Sequence, residues 1–247
     1  MDRLLNIKEA AEFLNVSEMS VRRWTNKETL KCFRVGGRKE RRFYKADLVA
    51  FLNKGSGQDW VPLGFDDLKL SDGSHVTHFF ANQKEFFDTA LEYTLTGLNS
   101  GENVLLVMPR QKHEDFLSLL AIQRPSLKKD LKTNRLVMSE GKNSPEEMIR
   151  YLGAFAENVE KFRILGDMAW AVNKGWNLNT LRELEQSPVL NRPIKNGILV
   201  CQYGLDDFSG AYIMMAAESH KQIIYKGAIE KSPHYRTTNL DGKNSIA

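Results

Sequence analysis

Residues 17–44 read SEMSVRRWTNKETLKCFRVGGRKERRFY, a short cationic helix running into a cationic hairpin. Ser17 is placed to cap the helix by accepting a hydrogen bond from the backbone N–H of Ser20, and Val21 and Trp24 then share one face. That arrangement turns Ser20, Arg22, Arg23 and Lys27 outward. After the helix, Phe33 and Val35 alternate with Arg34, Gly36-Gly37 supplies the positive φ of a tight hairpin, and Phe43 resumes the apolar face. Arg38, Lys39, Arg41 and Arg42 gather around the hairpin tip. The physical reading is a helix narrow enough for a major groove beside a basic wing lying over phosphates. Ser20, Arg22, Arg23 and Lys27 then face the bases and phosphates of double-stranded DNA, while Arg34, Arg38, Lys39, Arg41 and Arg42 hold its backbone.

Upstream of this stretch, Asn6 caps a helix over 7–14 whose Ala10, Ala11 and Leu14 fall on one stripe, and residues 15–17 make the turn. Two short helices so closely joined form a helix-turn-helix. Downstream, residues 45–52 read as a third helix returning Leu48, Phe51 and Leu52 to a small core. This order of elements resembles the excisionase-like branch of the MerR-type winged helix-turn-helix family over residues 4–53. The matching residues are Ile7, Glu9, Ala10, Ala11, Leu14, Val16, Ser17, Val21, Trp24, Phe33, Val35, Gly37, Arg41, Phe43 and Leu48. The resemblance implies that the second helix enters the groove, that the wing touches neighbouring backbone, and that the protein binds as a dimer. Longer members carry a coiled coil directly afterwards. Here Lys54-Gly55-Ser56-Gly57-Gln58 follows instead, so dimerisation falls to other elements.

Charge divides the chain. Residues 1–54 hold 13 Lys/Arg against 7 Asp/Glu, net +6, and the remaining 22 against 24 give −2, which returns the +4 of all 247 residues. A local excess fits a polyanion-binding module joined to an ordinary globular domain. Cys32 and Cys201 are too few for a disulfide framework or a thiolate cage, which fits a reducing cytoplasm. No apolar run approaches the roughly 20 residues of a membrane span, and helix signals begin at once, with no leader expected. The domains expected are a winged helix-turn-helix over 1–54, a linker over 55–75, an α/β domain over 76–235 and a flexible tail over 236–247. The linker is acidic at Asp66, Asp67 and Asp72, and its Trp60, Val61, Leu63 and Phe65 follow neither helical nor strand periodicity.

From residue 76 strand and helix signals alternate, as in a largely parallel, open sheet with helices on its faces. Strands are expected over 76–80, 103–108, 135–138, 162–166, 197–202 and 222–225. Helices are expected over 84–98, 114–122, 145–161, 178–186 and 209–219. The turn after the first strand, Ala81-Asn82-Gln83-Lys84-Glu85-Phe86, has no glycine and no Gly-Lys-Ser/Thr ending, so it cannot wrap a triphosphate closely. Ile164-Leu165-Gly166-Asp167 has the form of a strand ending in a magnesium-holding acid; without the cradle it reads as an inherited position. The phrases His78-Phe79-Phe80, 97–102, 166–170, Cys201-Gln202-Tyr203, Phe208-Ser209-Gly210 and Pro233-His234-Tyr235 resemble the MEDS (DcmR-like) sensory-domain family of methanogen and methylotroph regulators, itself similar to a degenerate RecA/KaiC core. The resemblance implies recognition of a small organic effector, hydrocarbon derivatives included, that changes DNA binding.

Open sheets bind ligands beyond the carboxyl ends of their strands, which singles out Phe80, Asn82, Met108, Arg110, Asp167, Met168, Trp170 and Tyr203 as effector contacts. Such aromatics and methionines are more often core. The five histidines, His75, His78, His113, His220 and His234, lack HxH or HxxxH spacing, so no metal is expected. No catalytic set stands out, and neither cofactor nor enzymatic activity is expected; Cys201 reads as buried and inert. The reading is a one-component regulator, homodimeric through its second domain. Two others fit less of the sequence: a ligand-free DNA-binding or partner-docking protein whose second domain only dimerises, and a nucleotide-dependent switch.

Overall fold

The computed structural model describes residues 3–37, 39–55, 60–190 and 196–236. They divide into two compact units, Met1–Asp59 and Trp60–Ala247. Arg38 and residues 237–247 of the tail expected over 236–247 lie outside the described residues, and Arg236 is held to Glu218 at 3.0 Å.

In the first unit, α1 (Ile7–Leu14) begins at Asn6, whose side chain accepts from the Lys8 and Glu9 amides while Glu9 accepts from the Asn6 amide. Asn15, at φ 52°, ends it. α2 (Glu18–Asn26) starts at Ser17, whose Oγ accepts from the Ser20 amide at 3.2 Å. The hairpin pairs β1 (Phe33–Val35) with β2 (Glu40–Arg42), and Gly36 at φ +72° makes its turn. α3 (Lys45–Gly55) closes the unit. Ala10, Ala11, Leu14, Val21, Leu30, Phe43 and Leu48 form the core, with Trp24 against Phe51 at 4.8 Å between rings. Phe33 and Val35 differ from their expected inward placement: both are exposed, because a two-stranded ribbon of three residues has no second layer beneath it. Leu52, expected in the core, is exposed too.

The second unit opens with a hairpin, β3 (Trp60–Pro62) and β4 (Lys69–Ser71), inside the stretch expected to be a linker. Leu63, Phe65 and Leu70 are buried there, so residues 60–75 belong to this unit's core. Next come β5 (His75–Phe80), α4 (Gln83–Asn99), β6 (Asn103–Val107), a 3₁₀ turn at Arg110–Lys112, α5 (His113–Gln123) and α6 (Leu127–Lys132). They are followed by β7 (Leu136–Ser139), α7 (Pro145–Glu157), β8 (Phe162–Asp167), α8 (Ala169–Asn173) and α9 (Leu178–Glu185). β9 (Gly197–Gly204), α10 (Gly210–Ser219), β10 (Gln222–Tyr225) and β11 (Ala228–Lys231) complete the unit.

The sheet runs β11-β10-β5-β9-β8-β6-β7, parallel throughout except where β11 turns back on β10. Both faces are covered, which is why the strands read as near-continuous apolar runs. In β6, Val104 and Leu106 enter one core and Leu105 and Val107 the other. The carboxyl ends of β5, β9, β8 and β6 meet where the chain order along the sheet reverses, the position at which such sheets open a crevice.

Candidate nucleic-acid interface and sheet-edge cleft

On the first unit, α2 exposes Met19, Arg22, Arg23 and Asn26, and Lys27 follows at its end. Ser20 is half-buried, its hydroxyl 3.1 Å from that of Ser17. Arg22 lies 3.4 Å from Glu18, and Arg42 binds Glu40 at 2.8 Å. Arg23, Lys27, Arg34 and Lys39 have no carboxylate partner among the described residues, and all four are exposed. Arg34 stands directly across the hairpin from Arg41, a like-charge placement that destabilises a bare ribbon. Arg41 is half-buried and donates to Asn26 Oδ1 at 2.6 Å, fastening the wing to α2. Sequence reasoning grouped Arg41 with the other wing cations; its partner Asn26, fifteen residues earlier, gave no signal beyond a polar residue late in the helix.

At the carboxyl ends of the second unit's strands lies an open cleft of about 360 Å³, lined by Gln83, Pro109, Gln111, Lys112, Ala169, Val172, Asn173 and Asp207. None of the eight residues singled out as effector contacts lines it, but several of their chain neighbours do. Phe80, Met108, Asp167, Met168, Trp170 and Tyr203 are buried. Asn82 caps α4 by accepting from the Glu85 amide, and exposed Arg110 binds Glu140 at 2.8 Å. Met168 and Trp170 instead wall a small apolar cavity of about 30 Å³, together with Val107, Met148, Leu152 and Leu199. At a strand end successive side chains alternate between core and crevice, and a one-residue shift exchanges them.

Beneath the cleft, Lys112 Nζ lies 2.7 Å from Asp167 Oδ2, and its ammonium sits 4.3 Å from the Phe86 ring centre. Burial raises the Asp167 carboxyl above its ordinary value, and the Lys112 charge offsets part of that rise. Asp167 Oδ1 accepts from the Ala169 amide at 3.2 Å. The amino end of α4 is closed by its own side chains: Glu85 accepts from the Ala81 amide at 2.8 Å while Asn82 accepts from the Glu85 amide. The Ala81 and Glu85 amides at this helix start therefore already have acceptors. Lys112 escaped sequence reasoning because it comes from a 3₁₀ turn 55 residues from Asp167. Polar residues three to six places past a strand end were the available signal.

A second polar cluster lies elsewhere. His75, Glu185, Cys201 and His220 each offer one ligand-type atom, all within 4.8 Å of one another. Spacing could not show it, since the residues come from β5, the end of α9, β9 and the residue after α10. Among the described residues, no helix is long and apolar enough to cross a membrane.

Comparison with known proteins gives two family models. One described as MEDS, the methanogen/methylotroph DcmR sensory domain, matches residues 74–221, and one described as a helix-turn-helix domain matches residues 4–56. The transcriptional repressor DcmR of Methylorubrum extorquens is 29% identical over 243 residues, covering 89% of this chain and 91% of its own. Among solved structures, the KaiC-like protein PH0186 of Pyrococcus horikoshii aligns with a TM-score of 0.53 at 14% identity, over 67% of this chain and 80% of that one. The flagellar accessory protein FlaH of Methanocaldococcus jannaschii aligns with a TM-score of 0.50 at 12% identity, over 70% and 84%. At such identities these two establish the fold of the sheet as RecA/KaiC-like and nothing further.

Proposed function

Because this chain belongs to the MEDS family of methanogen/methylotroph DcmR sensory-domain proteins, we propose that it is a DNA-binding transcriptional regulator coupling a helix-turn-helix to a small-molecule sensor. The observation that carries this reading is the cationic face of α2 and the hairpin. Four exposed cations there, Arg23, Lys27, Arg34 and Lys39, have no carboxylate partner among the described residues. The opposition of Arg34 and Arg41 is a cost that bound phosphate removes. α2 enters the major groove, and the hairpin, held to it by the Arg41–Asn26 bond, lies over the adjoining backbone.

The sensor half of the proposal rests on the cleft. Gln83, Gln111, Lys112, Asn173 and Asp207 offer donors and acceptors beside Pro109 and Val172, a lining suited to a small, weakly polar organic compound. Two features favour ligand recognition over nucleotide turnover. The acid at the end of β8 is held by Lys112, and the amino end of α4 is occupied by Asn82 and Glu85. A homodimer joined through the second unit reads two half-sites, and effector binding alters their spacing. Repression is the sign proposed, by likeness to a relative of that name.

The test is recovery of fragmented genomic DNA on the full chain at physiological salt, followed by sequencing. Enrichment of a few discrete segments bearing inverted half-sites is the expected result. Uniform coverage of the genome would remove the regulator reading.

A further inference from the structure

We propose that His75, Glu185, Cys201 and His220 form a closed, four-ligand site for one divalent transition metal ion of the zinc class. This proposal is independent of the DNA-binding reading and of the open cleft. Glu185 and His220 are fully buried, with His75 and Cys201 partly so. His75 Nε2 lies 3.0 Å from His220 Nε2, 3.3 Å from Cys201 Sγ and 3.4 Å from a Glu185 oxygen. That same oxygen, Oε2, is 3.4 Å from His220 Nε2 and 3.6 Å from Cys201 Sγ. A tetrahedral ion with nitrogen and oxygen ligands at about 2.0–2.2 Å and sulfur at about 2.3 Å sets its ligand atoms about 3.3–3.7 Å apart; five of the six pairs here lie between 3.0 and 3.6 Å, and all six within 4.8 Å.

The hydrogen bonds around the cluster also fit an ion. His220 Nδ1 lies 2.8 Å from the Ala216 carbonyl, which can only accept, so Nδ1 carries a proton and Nε2 is the nitrogen that faces the cluster. The Cys201 thiol donates to Glu185 Oε2 at 3.6 Å, and His75 Nε2 faces His220 Nε2, Cys201 Sγ and that same carboxylate oxygen at 3.0–3.4 Å. A metal ion satisfies all four atoms at once. Two outer contacts are of the kind that metal ligands keep: a carbonyl on the far nitrogen of His220, and the Tyr203 hydroxyl donating to Glu185 Oε1 at 2.5 Å. Charge closes as well, because a dication with one thiolate and one carboxylate is neutral, which lowers the cost of burying it.

Two nitrogens, one oxygen and one sulfur each donate a pair to the ion, the Cys201 thiol proton leaves to solvent, and the His75 proton passes from Nε2 to Nδ1. The mixed set of nitrogen, oxygen and thiolate suits zinc or its neighbours over magnesium or calcium. With all four positions taken by protein, the site is structural, and it clamps β5 and β9 to the ends of α9 and α10.

The probe is cobalt(II), added to the full chain after chelator treatment. Uptake of one cobalt per chain is expected, with a thiolate-to-cobalt charge-transfer absorption that Cys201→Ala abolishes and Cys32→Ala leaves intact. Tyr203→Phe is expected to weaken binding about 10–100-fold. The titration of unaltered protein decides the matter even if Cys201→Ala fails to fold. Absence of stoichiometric uptake, or of the thiolate absorption, overturns the proposal, and so does an absorption that survives Cys201→Ala.

Discussion

Lys112 and Asp167 show how much one residue pair shapes the cleft. The carboxylate is fully buried and the ammonium nearly so, with 17% of the side chain exposed. Removing only the cation strands a buried charge, whereas replacing both groups removes the need for pairing. Lys112→Met is therefore expected to destabilise the protein by about 3 kcal/mol, and Lys112→Met with Asp167→Leu by clearly less. Urea unfolding of the two single variants and the double variant measures this. His78 gives a second prediction at this scale. It is buried, its Nδ1 is 2.9 Å from the Gln202 amide nitrogen, and burial lowers its pKa from 6.5 to about 4. The unfolded chain then binds a proton more readily than the folded one, so stability is full above about pH 6.5 and falls as the pH drops toward 4. Between pH 7 and pH 5 the loss is about 2 kcal/mol. His78→Gln is expected to remove that part of the decline, and an unchanged pH profile would contradict it. Asp167 was legible in the sequence as an acid ending an apolar strand. Lys112 was not, because a partner arriving from another strand's loop leaves no local pattern.

Among the elements, those with a strong period were legible and those without were not. All six parallel strands and α4, α5, α7, α9 and α10 follow from apolar runs alternating with capped, amphipathic segments. The helix expected over 145–161 stops at Glu157, where Asn158 takes the last turn. α8 has five residues, too few to display a helical period, and α6 is a lysine-rich turn of six. β11 is an exposed edge strand whose pairing with β10 comes from the Lys226-Gly227 turn, both at positive φ, and its alternation is weak. The β3–β4 hairpin was missed because its buried residues, Leu63, Phe65 and Leu70, are spread across a loop and a strand. In the first unit the caps Asn6 and Ser17 and the Gly36 turn were all readable, while the tie between wing and helix was not. Arg41→Lys keeps the charge and loses the planar bond to Asn26. It is expected to weaken DNA binding about five- to tenfold, the worth of about one hydrogen bond, without changing the salt slope. An unchanged affinity in fluorescence anisotropy would mean that the Arg41–Asn26 bond does not hold the wing for binding.

Across the whole molecule, charge and cavities separate two tasks. The positive excess lies in the first 54 residues, which carry net +6, and the second unit carries the cleft and the four-ligand cluster. Composition made that division visible before any fold was known. The cluster was hidden because it exists only once four distant segments have been folded together. The central claim is that α2 and the hairpin hold duplex phosphates through unpaired cations. The most direct test is the affinity of the full chain for a DNA duplex over a range of salt concentrations, beside an Arg34→Ala, Lys39→Ala double variant. Each phosphate contact adds about 0.9 to the slope of log K against log salt, so the variant's slope is expected to be shallower by about 2. Identical slopes for the two proteins would contradict the claim.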